Sequence, residues 1–354
     1  MPPIPQPALS PRARHDPMFR TLARPLAGPA PGSRPSAIPA PPRIRAAAPA
    51  ALGAGPDTAP AIATVLVTTT TPATATAPAT PSTAVNDLIR TTSSLPRSAR
   101  LQRATYGTGS IGEMRMRKGW DTQAGNWGRF TQPGLDPYHE LMNLPAFLDL
   151  LPAPGRRTLD LGCGEGRVSR ALAQAGHTLV ATDSSPGMVA QAATQPPAPA
   201  ALVSDAARLP FIDGAFDLVV AYMCLHDMDR MPDAVREAAR VLRPGGRLAV
   251  AIPHPVNTAG DLTSQEPDAA QVIDAYLDAA PADWTLDRDG LQVHFHSEHR
   301  PLEAYAAALA GAGLLIEQLR EPRATPALIA QQPSATKWLR LPLFLHLLAL
   351  RPVS

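Results

Sequence analysis

Two hydrophobic periods alternate along the last two hundred or so residues. Arg157–Leu161 is a short apolar run that ends in glycines, and comparable runs cover Thr178–Thr182, Ala200–Ser204, Phe216–Ala221 and Arg247–Ile252. Each reads as a strand. Helical spacing falls between them. Gly166–Ala175 sets Val168, Leu172 and Ala175 on one face, Pro186–Ala193 forms a second helix, and Met231–Leu242 forms a third, stopped by Pro244-Gly245-Gly246. Upstream, a helix is predicted at about Tyr138–Leu150, kinked by Pro145, with Trp120, Trp127 and Phe130 clustered around it. Downstream, Leu302–Ala312 is a helix, and Leu314–Leu319 and Leu341–Leu350 are strands with no helix between them. Strands separated by helices of about ten to fifteen residues form a parallel sheet covered on both faces. The last two strands, following one another directly, should pair antiparallel at one edge.

The first hundred of the 354 residues have neither period. They hold 20 of the 42 prolines, ten arginines, no lysine and three acids, a net charge of +7. Residues 1–95 are therefore expected to be a disordered Pro/Ala/Thr-rich tail, because they bury too little apolar surface to offset the entropy of ordering. An inert leader from an upstream start (with Met18, Met114 or Met116 as the true start), an organelle transit peptide and a tail for an acidic partner all fit that composition. The other 254 residues carry 22 basic and 27 acidic groups. A net acidic folded part argues against a nucleic-acid partner, since phosphate binding needs a basic face. Two cysteines exclude a disulfide scaffold or a four-cysteine zinc module. No apolar run approaches the roughly 20 residues of a spanning helix, which favours a cytoplasmic protein away from membranes.

Chemistry concentrates in Thr158-Leu159-Asp160-Leu161-Gly162-Cys163-Gly164-Glu165-Gly166, a strand running through glycines into a helix. Gly162 and Gly164 permit close approach of a ligand to the backbone, and in an open α/β sheet ligands lie beyond the carboxyl ends of the central strands. Asp183 ends the second predicted strand, where a carboxylate can take both hydroxyls of a ribose. Asp205-Ala206 ends the third, which suits an adenine amine. A dinucleotide would need G-x-G-x-x-G, whereas the spacing here is G-x-G-x-G. Asp160 just before the loop would also repel a pyrophosphate.

These residues resemble the class I S-adenosylmethionine-dependent methyltransferases of the group that acts on small molecules. The resemblance rests on Leu159–Gly166, Asp183-Ser184-Ser185-Pro186-Gly187-Met188, Asp205–Phe211, Phe216–Val220 and Arg240–Gly246. It implies a Rossmann-like α/β fold: a seven-stranded, mostly parallel sheet of order 3-2-1-4-5-7-6 with the last strand antiparallel. It implies S-adenosylmethionine as cofactor, held by Asp160, Gly162, Cys163, Gly164, Gly166, Asp183, Ser184, Met188, Asp205, Ala206 and Tyr222. It also divides residues 96–354 into lid helices at 114–150, a cofactor core at 157–252, a substrate-lid insertion at 257–300 and a closing part at 301–354.

Methyl transfer from a sulfonium is a displacement in which the protein orients and excludes water, so no universal catalytic side chain is expected. His226, after the fourth strand, is the one candidate base, against a packing role. Trp120, Trp127, Tyr138, His226, His254, His296 and Arg300 are candidate substrate-lining residues, with His294–Arg300 expected as a loop. The three histidines there lack a zinc pattern, and no metal is expected. Asp217, at the far end of its strand, reads as structural, and Cys163 and Cys224 as small fillers. The expected activity is methylation of a small organic acceptor at oxygen or carbon. A tRNA or rRNA methyltransferase and a non-catalytic cofactor-binding protein are the alternatives.

Overall fold

The computed structural model describes residues 111–353 apart from positions 197 and 289. The tail expected at 1–95 lies outside the described residues. The chain enters on helix α1 (Ile111–Phe130), passes a π-helical turn at His139–Asn143 and continues as α2 (Leu144–Leu148). Then come β1 (Thr158–Leu161), α3 (Arg167–Gln174), β2 (Leu179–Asp183), α4 (Pro186–Ala192), β3 (Ala200–Val203), β4 (Phe216–Tyr222), α5 (Met231–Val241) and β5 (Leu242–Pro253). After α6 (Pro255–Thr258), two hairpins follow, β6 (Gly260–Leu262) with β7 (Gln271–Ile273) and β8 (Ala280–Arg288) with β9 (Leu291–His299). The chain closes with α7 (Leu302–Gly311), β10 (Leu315–Arg320), α8 (Pro326–Gln331) and β11 (Phe344–Leu350).

Seven strands form one sheet in the order β10-β11-β5-β4-β1-β2-β3. Strand β11 runs against both β5 and β10, and the remaining pairs are parallel. This is the order and hand of pairing expected from the resemblance. Central strands covered on both faces read as continuous apolar runs. In β4, Val219 and Ala221 enter the core beneath α5 and α7, while Leu218, Val220 and Tyr222 point to the opposite face, against Phe147, Val168 and Leu172. Helix α5 buries Met231, Ala234, Val235, Ala238 and Val241, the spacing of one helical face. Helix α4 starts on Ser185, whose hydroxyl accepts the Met188 amide, with Pro186 in its first turn. Among the described residues, no helix is long and apolar enough to cross a membrane.

Four expectations need correction. The first long helix is α1, not the segment after Tyr138. Its glycines obscured it, since they lower helix propensity. They also allow contact: a Cβ on Gly128 would sit 2.8 Å from Gln191 Oε1, and one on Gly187 of α4 would sit 2.9 Å from Ala124 Cβ. The two closing strands are separated by α8 and a 3₁₀ turn at Pro333–Leu339, although they pair antiparallel as expected. Residues 294–300 are not a loop: through His299 they form β9, with side chains alternating between inside and outside. The helix from Met231 stops at Val241, and Pro244-Gly245-Gly246 belongs to the extended segment that becomes β5.

Candidate active site

The glycine loop leaves β1 in left-handed backbone, with φ of +70° at Gly162, +56° at Gly164 and +86° at Gly166. A Cβ on Gly162 would meet Cys224 Cβ at 2.7 Å. The loop is tied to the next strand by its own amides: Gly162 N and Cys163 N donate to Thr182 O at 2.8 and 2.9 Å, and Gly164 N donates to Asp183 Oδ2 at 2.9 Å. Asp183 Oδ1 accepts from Ser185 N at 2.9 Å.

Around this loop lies a cavity of about 610 Å³. Its walls include Asp160, Gly162, Cys163, Gly164, Thr182, Asp183, Ser184, Met188, Asp205, Ala206 and Tyr222, together with Trp120 and Trp127 from α1. It therefore gathers ten of the eleven residues assigned to the cofactor from the sequence. Gly166 stands just behind, where it starts α3. Asp160 is buried and accepts from Ser169 Oγ. Burial pushes its carboxyl up to about 7, the Ser169 hydrogen bond opposing and the charges of Asp183 and Glu165 adding to the rise. Burial also raises Asp183, against hydrogen bonds from the backbone at Ser185, Gly164 and Ser184. Burial pushes the thiols of Cys163 and Cys224 up, so neither is a thiolate.

A second cavity of about 570 Å³ adjoins the first. Trp120, Trp127, Arg167, Met223 and Asp227 line both. Met223, at the junction, is the one non-glycine with positive φ (+52°) among the described residues. The second cavity is walled by Tyr138, Trp284, Phe295, Phe344 and Tyr305, with His139, His226 and His299. Trp284 and Phe295 stack across the β8–β9 hairpin with centroids 3.7 Å apart. Helix α1 closes over this hairpin, Gln123 Nε2 donating to His294 O at 2.6 Å. It is pinned to α4 by Asp121, whose Oδ1 accepts from Ser185 Oγ and Gly187 N at 2.7 and 2.8 Å.

Other residues singled out from the sequence have different places. His226 faces the second cavity, but burial followed by the nearby Arg300 charge pushes its imidazole down to about 3, so it is neutral at ordinary pH. His254 lines neither cavity: it caps α6, accepting from Val256 N at 3.1 Å, and sits 3.0 Å from Glu321. His296 packs under Gly119 and beside Asp283, again outside both linings. Arg300 is buried and lines neither cavity. It donates to Met228 O at 2.7 Å and to the Leu225 and His226 carbonyls at 3.4 Å, and pairs with Glu298. Its guanidinium holds the turn after β4 in shape. Asp217 accepts from Arg156 N and Arg157 N at 2.6 and 2.9 Å and pairs with Arg243, at the sheet end away from the cavities. Tyr222 places its hydroxyl 3.0 Å from His139 Nδ1.

Asp227 was missed, although it directly follows His226. It occupies the junction of the cavities, where burial pushes its carboxyl up to about 7 against the Ser297 hydrogen bond and the charge of Arg300. Arg167 was missed as well. It spans both cavities, pairs with Asp136 at 2.8 Å and lies 5.3 Å from the centre of the Trp127 ring.

A family profile described as a methyltransferase domain matches residues 159–250. A demethylmenaquinone methyltransferase of Beutenbergia cavernae is 46% identical over 107 residues, which cover 30% of this chain and 45% of that protein. A malonyl-[acyl-carrier protein] O-methyltransferase of Pectobacterium atrosepticum is 39% identical over 105 residues, covering 29% of this chain and 42% of that protein. The chain thus spans less than half the length of these curated relatives. Among solved structures, an S-adenosylmethionine-dependent methyltransferase from Mesorhizobium loti superposes with a TM-score of 0.50 at 27% identity, covering 58% of this chain and 96% of that one. Residues 159–250 match a methyltransferase domain, and the sheet order and glycine loop are like those of the class I S-adenosylmethionine-dependent methyltransferases.

Proposed function

We propose that the protein transfers a methyl group from S-adenosylmethionine to a small organic acceptor, at oxygen or carbon, with the cofactor in the glycine-loop cavity and the acceptor in the second. The observation that carries this reading is the shared wall of the two cavities at Trp120, Trp127, Arg167, Met223 and Asp227. Two ligands can meet there out of bulk water, which a displacement between them requires.

The residues present fit the cofactor. At Gly164 a Cβ would enter open space, with Trp127 Nε1 its nearest neighbour at 3.8 Å, and Thr182 Oγ1 is buried on the cavity wall without a hydrogen-bond partner. Among the described lining residues six carboxyls, of Asp160, Glu165, Asp183, Asp205, Asp227 and Asp229, stand against four guanidiniums, of Arg117, Arg167, Arg208 and Arg230, and Asp160, Glu165 and Asp183 lie together at the glycine loop, which suits a ligand that carries an ammonium and a sulfonium. In this reading Asp183 takes the ribose hydroxyls, Asp205 and Ala206 the adenine edge, and Met188 the adenine face. Gly162, Cys163 and Gly164 take the methionine part beside Asp160, with Ser184 and Tyr222 completing the wall. The bound cofactor supplies the electrophilic methyl. The protein's part is to fix its direction towards the second cavity and to keep water out. The aromatic walls of that cavity suit a small, largely apolar acceptor.

Two measurements test the proposal: calorimetric binding of S-adenosylhomocysteine, and transfer of labelled methyl from S-adenosylmethionine across a panel of phenols, enols and carboxylic acids. Micromolar binding with turnover of a panel member is expected. Binding without any turnover would leave only a cofactor-binding protein, and absence of binding would overturn the site itself.

A further inference from the structure

Three elements converge on Asp227. Its own turn after β4 carries it to the junction of the cavities, Ser297 of β9 donates its hydroxyl to Asp227 Oδ1 at 2.5 Å, and Trp120 of α1 lines the same junction. His226 Nε2 lies 3.4 Å from the same Oδ1. A carboxylate so held lies on the wall that the two cavities share.

The charge of the second cavity is lopsided. Among the described residues its lining has the carboxyls of Asp136, Asp227, Asp261, Asp283 and Glu298 against one guanidinium, Arg167, with the Arg300 guanidinium behind the wall on Glu298. That guanidinium is engaged by Asp136 at 2.8 Å and Glu165 at 3.6 Å. An anion entering this space would meet like charge in a poorly screened site, whereas a cation would be drawn in and could rest on the indole and phenol faces.

We propose, on the basis of the methyltransferase reading above, that Asp227 is the proton acceptor of the reaction and that the acceptor is an aromatic, uncharged or cationic compound with a hydroxyl at its reacting end. The balance closes. The acceptor oxygen gives its proton to the Asp227 carboxylate and uses a lone pair to bond the methyl carbon, while the electron pair of the broken carbon–sulfur bond stays on sulfur. Burial supplies the basicity that an exposed aspartate lacks, pushing the carboxyl up to about 7. The charged and titratable groups that face it are Arg300 and His296 from β9 and its end, His226 from its own turn and Tyr305 from α7. Arg300 and His296 lower it, and burial outweighs them. Burial holds His226 down to about 3, which makes its imidazole too weak a base for the role.

The test uses two probes of one shape and opposite charge, tyramine and 4-hydroxyphenylacetate. Each is titrated into protein saturated with S-adenosylhomocysteine at pH 8 and low salt. Tyramine is expected to bind at least tenfold more tightly, and Asp227→Asn is expected to narrow that ratio while leaving S-adenosylhomocysteine affinity within about threefold. In the transfer assay with tyramine, the rate should rise through a limb near pH 7. Asp227→Asn should abolish that limb and cost about 10²–10⁴-fold in kcat. Ser297→Ala, which removes a donor to the charged form, should move the limb upward in pH without removing it. Equal or reversed affinities, binding of neither probe, or a limb that survives Asp227→Asn would each overturn the proposal. Failure of the unaltered protein to bind S-adenosylhomocysteine would instead refute the methyltransferase reading on which it rests.

Discussion

The Gly164 amide donates to Asp183 Oδ2 at 2.9 Å, joining the glycine loop after β1 to the acid that ends β2. The two strands are neighbours, with Leu161 opposite Thr182. Both chain ends of the cradle are therefore set by one parallel pairing, and the carboxylate positions the loop before any ligand arrives.

Asp183→Ala is expected to weaken S-adenosylhomocysteine binding by about 2–3 kcal/mol, the range for losing charge-assisted hydrogen bonds. It should also lower the melting temperature, because the Gly164 and Ser185 amides lose their acceptor. Calorimetry and thermal unfolding read the two effects, and an unchanged dissociation constant would remove Asp183 from the site.

Gly162→Ala should destabilise the fold by about 1–3 kcal/mol. The backbone is left-handed there, and the new methyl would lie 2.7 Å from Cys224 Cβ, on the buried turn after β4. Urea unfolding measures the loss, and retention of full stability would contradict the close approach of the two turns.

Binding of the cationic cofactor should release protons near neutrality through Asp160. Its carboxyl stands at about 7, raised by burial, and a positive charge placed beside it lowers that value, so the proton leaves. Calorimetric enthalpies of S-adenosylmethionine binding at pH 6.5 should therefore differ between phosphate and Tris buffers by the buffers' ionisation heats. Asp160→Asn should erase the difference.

His346 should make the protein less stable in mild acid. Its Nε2 lies 2.7 Å from Asn143 Oδ1, and burial with the Arg320 charge pushes its imidazole down to about 4. Between about 4 and 6.5 the unfolded chain binds a proton at this residue that the folded one refuses, so its contribution falls as pH drops through that window. Denaturant unfolding at pH 7.5 and 5 should show a smaller acid loss for His346→Gln than for the unaltered chain.

Cradle and sheet were legible in the sequence because each of their signals is local. A strand buried on both faces needs an unbroken apolar run, as in Phe216–Tyr222, and a left-handed turn selects glycine at 162, 164 and 166. Asp183 ends, and Asp205 lies two residues beyond, strands that the same runs mark out. The alternation of strand and helix then leaves few topologies, and the observed order is among them.

The second cavity was decided elsewhere. Helix α1 shows little amphipathic pattern of its own, and it closes the site through Gln123 on His294 and Asp121 on Gly187, partners 171 and 66 residues away. Arg300 and His254 are plausible site residues in one dimension, and nothing there sets Asp227 apart. Packing assigns the Arg300 guanidinium to three backbone carbonyls, aims His254 at α6 and Glu321, and leaves the Asp227 carboxyl at the junction, held by Ser297 70 residues away. Backbone preference and hydrophobic period act over a few residues and can be read along the chain. Which polar side chain is consumed by the fold and which is left facing a ligand depends on neighbours brought together across the whole domain, and only the tertiary structure supplies them.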